Sequence, residues 1–307
     1  MSSRTATHPD QAMPERQRTL LKLLTALGGS ARNLDFQKVL FLYCEEPDSG
    51  RPYEFVPYKY GAFSFTSYAD RRKLIARGLV TEDDGCWKLT PEGRHYVESG
   101  PDMLLAAFVE RLGGLRGDEL VADTYRRFPY YAIKSEIADR VLKGDSNALK
   151  RIKAERKNVA ARALQTIGYE GHSLESYLNV LLRAGVTILC DVRRNPMSRK
   201  YGFAKSTLSS SCQAVGIRYE HLPELGIPSD QRQELQTQAD YDALFETYEK
   251  DWLPSQDESL NLVQSWIAAG EHVALTCYEH LPQQCHRHCV AEALESRSET
   301  QITAIHL

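Results

Sequence analysis

The C-terminal half of this chain alternates short apolar segments with helical patterns. The segments with strand character are residues 165–168, 186–192, 217–222, 273–277 and 301–306. Between them lie patterns of about ten residues that are typical of helices. Strands that alternate with helices in this way form mainly parallel sheets with helices on both faces. The sequence therefore predicts an open, mainly parallel α/β domain over residues 163–307.

Polar segments accompany four of the predicted strands. They are residues 168–173, 191–199, 219–224 and 277–287. Open α/β sheets bind ligands at the edge where the carboxyl ends of the strands meet, so we expect these segments to form one site. In the first segment, Gly168, Tyr169 and Glu170 begin a glycine-flanked turn into a helix, whose free amides favour an anion. Ser173 could equally serve only as the cap of that helix.

The second polar segment places a carboxylate before four cations. Asp191 ends a predicted strand, and the cations Arg193, Arg194, Arg199 and Lys200 follow it, with Ser198 before Arg199. Arginine side chains match the geometry of phosphate oxygens, so this pattern favours phosphate binding. Asp191 could act as a general base or position a water molecule. The alternative is that Asp191 only pairs with one of the arginines.

The segment 276–290 contains three of the seven cysteines and three of the nine histidines. Cys285 stands beside His286 at a predicted helix start, where a lowered thiol pKa would make it a nucleophile; a buried structural cysteine is the alternative. Glu279 is a second candidate carboxylate, and Arg287 would point into the crevice or pair with Glu279. These cysteines and histidines could form a zinc site. However, the spacing C-x7-C-H-x2-C is not a standard zinc pattern, so we predict neither a metal nor a cofactor.

These interpretations define two sets of candidate residues in the α/β domain. The candidate catalytic residues are Asp191, Glu279, Cys285 and His286. The candidate substrate-binding or phosphate-binding residues are Gly168, Tyr169, Glu170, Arg193, Arg194, Ser198, Arg199, Tyr219 and Arg287.

The N-terminal half has the order helix, helix, helix, hairpin over residues 16–100, after a predicted disordered lead at residues 1–15. The hairpin surrounds an Asp-Asp-Gly turn, and the aromatic segment 55–64 is predicted to be a loop that packs over the helices. This order is that of a winged helix, which often places one helix in the major groove of DNA. The third helix carries the candidate DNA-binding residues Arg71, Arg72, Lys73 and Arg77. A solvated helix face and a protein-interaction module are the alternatives.

A basic helical connector is predicted over residues 101–162. Residues 126–162 hold eleven Lys and Arg against four Asp and Glu, a net charge of +7, whereas residues 163–307 hold eleven against nineteen, a net charge of −8. The connector could contact phosphates or dock on the acidic domain. The sequence has no apolar run of the roughly 18 residues that span a bilayer. The odd number of cysteines predicts no disulfide framework, so we expect a cytoplasmic location.

Four ordered motifs resemble the bacterial and archaeal domain-of-unknown-function family 488. They are TIGYEG at 166–171, CDVRRNPMSRKYGFAK at 190–205, GIRYEHLPELGI at 216–227 and LTCYEHLPQQCHR at 275–287. The resemblance implies a compact α/β domain whose shared positions are Gly168, Asp191, Arg193, Pro196, Ser198, Tyr219, Leu225, Gly226, Cys277, Glu279, Pro282, Cys285, His286 and Arg287. Many members have His-Ser after the glycine of the first motif, where this chain has Tyr169 and Glu170. His288 and Cys289 lie outside the family pattern.

Three functional hypotheses follow. The first is a nucleic-acid-directed enzyme that cleaves a glycosidic bond or processes a base or nucleotide of DNA, in repair or in defence against phage. The second is a DNA-binding regulator whose C-terminal domain senses a small anionic ligand without turnover. The third is a thiol or metal role centred on Cys285. DNA is the expected partner, and no membrane partner is expected.

Overall fold

The fold is given by a computed structural model that describes residues 13–97, 102–157, 163–228, 231, 235–297 and 302–307. Residues 1–12 of the predicted disordered lead lie outside the described residues. Met13 is buried in the N-terminal core and the first helix begins at Glu15, so residues 13–15 belong to the folded domain rather than to a lead. Among the described helices, none is both long and apolar enough to cross a membrane.

The N-terminal half joins helices to a small antiparallel sheet. Its elements are α1 (Glu15–Ala26), β1 (Ser30–Arg32), α2 (Asn33–Cys44), β2 (Val56–Tyr58), β3 (Gly61–Phe63), α3 (Phe65–Ala76), β4 (Val80–Asp83), β5 (Cys86–Leu89) and α4 (Pro91–Tyr96). The sheet has the order β1-β5-β4, and Asp84 and Gly85 turn its hairpin with positive φ. Phe36 stacks on Trp87 at 4.1 Å, which fixes the hairpin on the helices. The predicted α+β architecture is confirmed, while the narrower winged-helix assignment stays a prediction.

The aromatic segment 55–64 is a hairpin rather than the predicted loop. Strands β2 and β3 pair antiparallel, with Tyr58 opposite Gly61. Each strand has only three residues and Pro57 interrupts the first, so the usual strand pattern is too short to recognise. Val56 is buried in the hydrophobic cluster of the C-terminal domain. The hairpin therefore joins the two halves of the chain.

The region between the two halves is packed rather than extended. It contains α5 (Met103–Arg111), α6 (Gly117–Arg127), α7 (Ala138–Val141) and α8 (Ser146–Lys157). Helix α5 buries Leu105 and Phe108 in the N-terminal core, and α6–α8 share a smaller core of their own. Much of the basic charge is used locally, since Arg126 pairs with Asp145 at 2.8 Å and Arg156 donates to the Ile133 carbonyl. These contacts leave fewer free cations than the net charge indicates.

The predicted parallel α/β sheet is confirmed. Its elements are β6 (Leu164–Gly168), α9 (Leu174–Arg183), β7 (Ile188–Asp191), α10 (Lys205–Ala214), β8 (Arg218–His221), α11 (Gln238–Thr247), α12 (Asp257–Ala268), β9 (Val273–Cys277), α13 (Arg287–Ser296) and β10 (Ile305–His306). In the described part of the chain, five strands pair in parallel in the order β10-β6-β9-β7-β8. Helices α9 and α10 cover one face, and α11, α12 and α13 cover the other.

The start of α3 docks on the C-terminal domain through a buried carboxylate. Glu175 in α9 accepts hydrogen bonds from Ser64 Oγ at 3.2 Å, Thr66 N at 2.7 Å and Thr66 Oγ1 at 2.9 Å. A carboxylate is stabilised at a helix N-terminus by the free amides and the helix dipole. Tyr201 also donates to the Phe65 carbonyl at 3.1 Å. The first turn of α3 is therefore covered by α9 and by the loop after β7.

Lys38 in α2 is a buried cation whose replacement is expected to stabilise the protein. Its side chain is 2% exposed and donates to the Ala62 carbonyl at 2.9 Å. Burial lowers the pKa of Lys38 from 10.5 to about 7. Between those two values the unfolded chain binds more protons than the folded protein, so stability rises with pH across this window. Below pH 7 the full cost of burial applies.

We expect Lys38→Met to raise the free energy of unfolding by about 3 kcal/mol at pH 7, after about 1 kcal/mol is lost with the hydrogen bond to Ala62. Near pH 10.5 the gain should be close to zero. Urea unfolding at both pH values checks this, with the exposed Lys153→Met as the control. An equal gain at the two pH values would contradict the burial argument.

Candidate functional site

The polar segments predicted to meet do lie at one edge of the sheet. Because the strands are parallel and in register, Gly168 pairs with Cys277, and Asp191 pairs with Thr276 on one side and with His221 on the other. The carboxyl ends of β6, β9, β7 and β8 therefore stand side by side. This is the edge at which open α/β sheets bind ligands.

Asp191 and Arg193 form a buried ion pair at this edge. Their side chains are 0% and 5% exposed, and Arg193 Nε and Nη2 donate to the two carboxylate oxygens of Asp191 at 2.8 and 2.5 Å. Tyr219 Oη donates to Asp191 Oδ2 at 2.5 Å, and Arg193 Nη1 donates to the Phe203 carbonyl at 2.9 Å. The pairing that the sequence left as an alternative is the one observed. Asp191, the predicted base, and Arg193, the predicted phosphate ligand, are bound to each other and are almost fully buried. Neither side chain is therefore available to a substrate.

The electrostatics of this cluster keep Arg193 charged and Tyr219 neutral. Burial alone would lower the pKa of Arg193, but its hydrogen bonds and charge interaction with Asp191 raise it above the usual value. Burial and the neighbouring Asp191 carboxylate also raise the pKa of Tyr219. Tyr219 therefore stays a neutral donor to Asp191 rather than a proton acceptor for a substrate.

The first motif supports the loop after β9. A Cβ atom added at Gly168 would overlap the Glu279 carbonyl oxygen, so glycine is needed for the close approach of the two segments. Glu170 accepts a hydrogen bond from His280 N at 2.9 Å. Tyr169 is buried and stacks on Phe203 with ring centroids 4.4 Å apart. These three predicted ligand-binding residues are therefore engaged within the protein.

Arg287, the first residue of α13, binds the backbone of the loop that follows β9. It is 1% exposed, its Nη1 donates to the Glu279 carbonyl, and its Nη2 donates to the His280 carbonyl at 2.8 Å. Its Nε lies 3.4 Å from Thr166 Oγ1. The predicted phosphate ligand is thus a buried clamp on two backbone carbonyls.

Three of the four candidate catalytic residues line one cleft. Glu279, Cys285 and His286 border an open cavity of about 500 Å³. Its other walls are formed by Ile227, Leu235, Gln236, Tyr241, Leu244, Phe245 and Gln284. A concave cavity of this size with several converging polar groups is suited to a small molecule or a nucleotide. The sequence did not single out the α11 residues, because Tyr241 and Phe245 are spaced like any helical core pair.

A cluster of two thiols and an imidazole borders this cleft. Single ligand atoms of Cys277, Cys285 and His286 all lie within 4.8 Å of one another. Cys277 Sγ is 3.8 Å from His286 Nδ1 and 3.4 Å from Glu279 Oε2. His286 Nε2 lies 3.0 Å from the Val192 carbonyl oxygen. These residues have the chemistry to hold a metal ion, which the sequence spacing did not predict.

The cysteine environment does not favour the nucleophile hypothesis. Burial raises the pKa of the Cys285 thiol well above its usual value. A nucleophilic cysteine requires a thiolate, which forms where the pKa is lowered. A second group of ligand atoms, from Glu249, His288 and Cys289, also lies within 4.8 Å, but Glu249 is exposed.

Cations lie at the same edge of the sheet, on the loop between β7 and α10 and at the start of α10. Arg194, Arg199 and Lys205 are exposed, and Lys200 is half-buried. Within the described parts of the chain, none of these four forms an ion pair with a carboxylate. Ser198 only accepts a hydrogen bond from the Lys200 amide. Arg194 Nη1 donates to the Pro223 carbonyl at 3.2 Å, Lys200 Nζ donates to the Tyr169 carbonyl at 3.1 Å, and Lys205 Nζ lies 2.9 Å from His221 Nδ1. Arg194 and Arg199 are the predicted phosphate ligands that remain exposed, and Lys205 of the same motif is exposed with them.

The candidate DNA-binding residues of α3 separate into one buried and three exposed side chains. Arg71 is buried, with Nη1 and Nη2 donating to the Glu82 carboxylate at 3.1 and 2.8 Å. It cannot contact DNA in this arrangement, because it holds the hairpin strand β4 to α3. Arg72, Lys73 and Arg77 are exposed, although Lys73 lies 3.3 Å from Asp70. Arg72 lies beside Tyr201, next to the basic loop of the C-terminal domain.

Comparison with known proteins identifies one family. Residues 173–294 match the family model described as "Domain of unknown function DUF488". This range contains the cleft, the ion pair of Asp191 and Arg193, and the cluster of thiols. No curated protein and no solved structure matches the chain.

Proposed function

Because residues 173–294 match the DUF488 family model, whose description assigns no activity, we propose a function from the cleft itself. The protein is a nucleic-acid-directed enzyme that acts on a base or nucleotide at the carboxyl edge of the parallel sheet. The observation that carries this proposal is the convergence of Glu279, Cys285 and His286 in one cleft, at the edge of the sheet where exposed cations also lie. A role in DNA repair or in defence against phage would suit such an enzyme.

Glu279 is the carboxylate suited to general acid–base chemistry. It is half-buried and lines the cleft, whereas Asp191 is sealed by Arg193. A positioned carboxylate can transfer a proton to a leaving group or activate a water molecule. Of the two candidate carboxylates, Asp191 and Glu279, we therefore assign the catalytic role to Glu279.

The walls of the cleft suit a planar, polar-edged group such as a nucleobase. Tyr241 and Phe245 offer aromatic surface, and Gln236 and Gln284 offer amides that can both donate and accept hydrogen bonds. An enzyme that acts on a base in DNA must move the base out of the stack and read its edge in a pocket. The cavity of about 500 Å³ has room for such a group.

The exposed cations support contact with a phosphate backbone. Arg194, Arg199 and Lys205 surround the same edge, and Arg72 of α3 lies beside Tyr201 at the junction of the two halves. Unpaired arginines bind phosphate oxygens strongly and give binding that weakens with salt. The proposed path of the nucleic acid therefore runs from the exposed face of α3 to the mouth of the cleft.

The proposal is tested by incubating the full chain with unmodified duplex DNA, single strands and duplexes carrying deaminated, alkylated or hydroxymethylated bases. We expect a released base, an abasic site or a modified nucleotide with at least one substrate, detected by mass spectrometry. Glu279→Gln should reduce turnover by at least about 100-fold, because it removes the proton-transferring group, while leaving DNA binding unchanged. The exposed Glu224→Gln, on the same edge but outside the cleft, is the matched control.

The assay also separates the proposal from the alternative of a DNA-binding regulator. Salt-dependent binding without product on every substrate would contradict the enzyme and favour a regulator that senses an anion. Equal loss of turnover in Glu279→Gln and Glu224→Gln would contradict the role of Glu279.

A further inference from the structure

Two thiols and an imidazole nitrogen already have nearly the spacing of a tetrahedral metal site. Cys277 Sγ and His286 Nδ1 are 3.8 Å apart, and Cys285 Sγ lies within 4.8 Å of both. In tetrahedral zinc sites the bonds of about 2.3 Å to sulfur and about 2.0–2.1 Å to nitrogen place the two ligand atoms about 3.6 Å apart. Small side-chain rotations are enough to close the remaining gap.

A backbone carbonyl orients the histidine for metal binding. His286 Nε2 lies 3.0 Å from the Val192 carbonyl oxygen, which can only accept a hydrogen bond. Nε2 therefore donates, and the lone pair of Nδ1 in the neutral ring faces the two thiols. Metal-binding histidines are held in this way by a carbonyl or carboxylate on the second nitrogen.

Rigid elements present the three ligand atoms. Cys277 ends β9, an inner strand of the sheet that is paired on both sides. Cys285 has extended backbone angles and His286, at the start of α13, has helical angles. This change of direction lets two adjacent side chains face one point, which neither a continuous strand nor a continuous helix allows. The fold therefore brings three ligands together, although their spacing along the chain does not match a standard zinc pattern.

We propose that Cys277, Cys285 and His286 bind one Zn²⁺ ion at the edge of the cleft. Thiolate and imidazole ligands in a tetrahedral arrangement select zinc over hard cations such as Mg²⁺. Three protein ligands leave a fourth position for water or substrate, as in catalytic zinc sites. Glu279 Oε2 lies 3.4 Å from Cys277 Sγ, so a carboxylate stands next to the proposed ligand set.

Ion binding itself does not depend on the proposed function, since it follows from the ligand atoms. Only the role of the fourth position rests on the nucleic-acid-directed activity. If the ion is bound and no nucleic acid is processed, the metal site stands and the proposed function fails. If turnover persists in the protein stripped of metal, the proposed function stands and the catalytic role of the ion fails.

The test uses the full chain purified under reducing conditions without chelator, with zinc content measured by inductively coupled plasma mass spectrometry. We expect one Zn²⁺ per chain. Replacing the ion with Co²⁺ should produce thiolate-to-metal charge-transfer bands in the near ultraviolet and visible bands typical of a tetrahedral ion. Because changes in outer-shell residues already cost about 10–100-fold in metal affinity, Cys277→Ala and Cys285→Ala should each weaken Zn²⁺ binding at least about 100-fold. Cys212→Ala, a buried thiol on the opposite face of the sheet, is the matched control.

Three results would overturn the site. They are a native protein that binds neither Zn²⁺ nor Co²⁺, equal metal affinity in Cys285→Ala and Cys212→Ala, and a Cys277–Cys285 disulfide in place of the metal. The cobalt spectrum of the unmutated chain decides the question even if a cysteine variant fails to fold.

Discussion

Arg193→Met is expected to lower the free energy of unfolding of the α/β domain by about 3–5 kcal/mol, because it leaves the buried Asp191 carboxylate without its partner. Both side chains are almost fully buried, and Arg193 supplies two of the hydrogen bonds to that carboxylate. Tyr219 would remain the one side-chain donor described for Asp191. One phenolic hydrogen bond cannot replace a bidentate guanidinium in a dry environment.

Urea unfolding monitored by tryptophan fluorescence measures this effect, since Trp252 and Trp266 lie in the α/β domain. Arg194→Met is a close control, because it makes the same change at the next residue, which is exposed. It should cost less than about 0.5 kcal/mol. Adding Asp191→Asn to Arg193→Met should recover part of the loss, because the unpaired charge is removed. Similar losses at positions 193 and 194 would show that the ion pair is not structural.

The two arginines of one motif thus differ in what they can bind. Arg193 follows Asp191 by two residues and folds back onto it, while Arg194 and Arg199 are exposed and Arg194 donates only to the Pro223 carbonyl among the described residues. A phosphate ligand must keep its donors free until the substrate arrives. The proposed contact with nucleic acid therefore depends on the exposed members of the motif and on Lys205, and the buried pair supports the loop that carries them.

Local patterns account for what the sequence predicted well. Apolar segments alternate with amphipathic patterns because the strands are buried in a sheet with helices on both faces. This alternation predicted β6, β7, β8 and β9, and their parallel order predicted the common edge. The predicted hairpin around residues 83–85 follows from the preference of Asp and Gly for positive φ, which Asp84 and Gly85 adopt. The β2–β3 hairpin was missed because three-residue strands with a proline have no such pattern.

Contacts between distant segments account for what the sequence could not predict. The strand order places β9 between β6 and β7, and this order brings Val192 against His286. Neither residue type nor spacing indicates that neighbour. The thiol cluster likewise depends on the meeting of a strand end and a helix start. The sequence correctly predicted that the candidate residues lie at one edge of the sheet. It could not predict which of them are bound to other residues, because those contacts depend on the fold.

The domain junction limits how α3 could approach DNA. Glu175 and Tyr201 cover its first turn, which is the part that a recognition helix usually presents to base edges. The exposed cations Arg72, Lys73 and Arg77 lie farther along the helix. Contact through these residues would reach phosphates rather than base edges, so it would add affinity without sequence preference. Under the proposed function, the exposed cations would bind the phosphate backbone, and the cleft would select the substrate by recognising a modified base.

Arg287, like Arg193, was predicted to bind phosphate but instead binds groups of the protein. It donates to the carbonyls of Glu279 and His280, on the loop that also carries the Glu279 side chain into the cleft. Among the described residues it makes no ion pair, so its charge is balanced by carbonyl dipoles alone. Gly168 permits the same loop to pass directly over the end of β6. Arg287 therefore acts as a positioning residue for Glu279.

Arg287→Met should lower the free energy of unfolding by about 2 kcal/mol, because two part-buried carbonyls lose their donor at about 1 kcal/mol each. Hydrogen exchange of residues 278–284 should accelerate more than exchange of β9, since the clamp on the loop is lost while the strand keeps its pairing. Arg297→Met, at the residue that follows α13, is the control, because this arginine is more exposed and pairs with Asp257. Arg287→Lys should restore part of the protection, because one donor can still reach a carbonyl. Uniform acceleration across the sheet would instead indicate a general loss of packing, and would remove the special link between Arg287 and the position of Glu279.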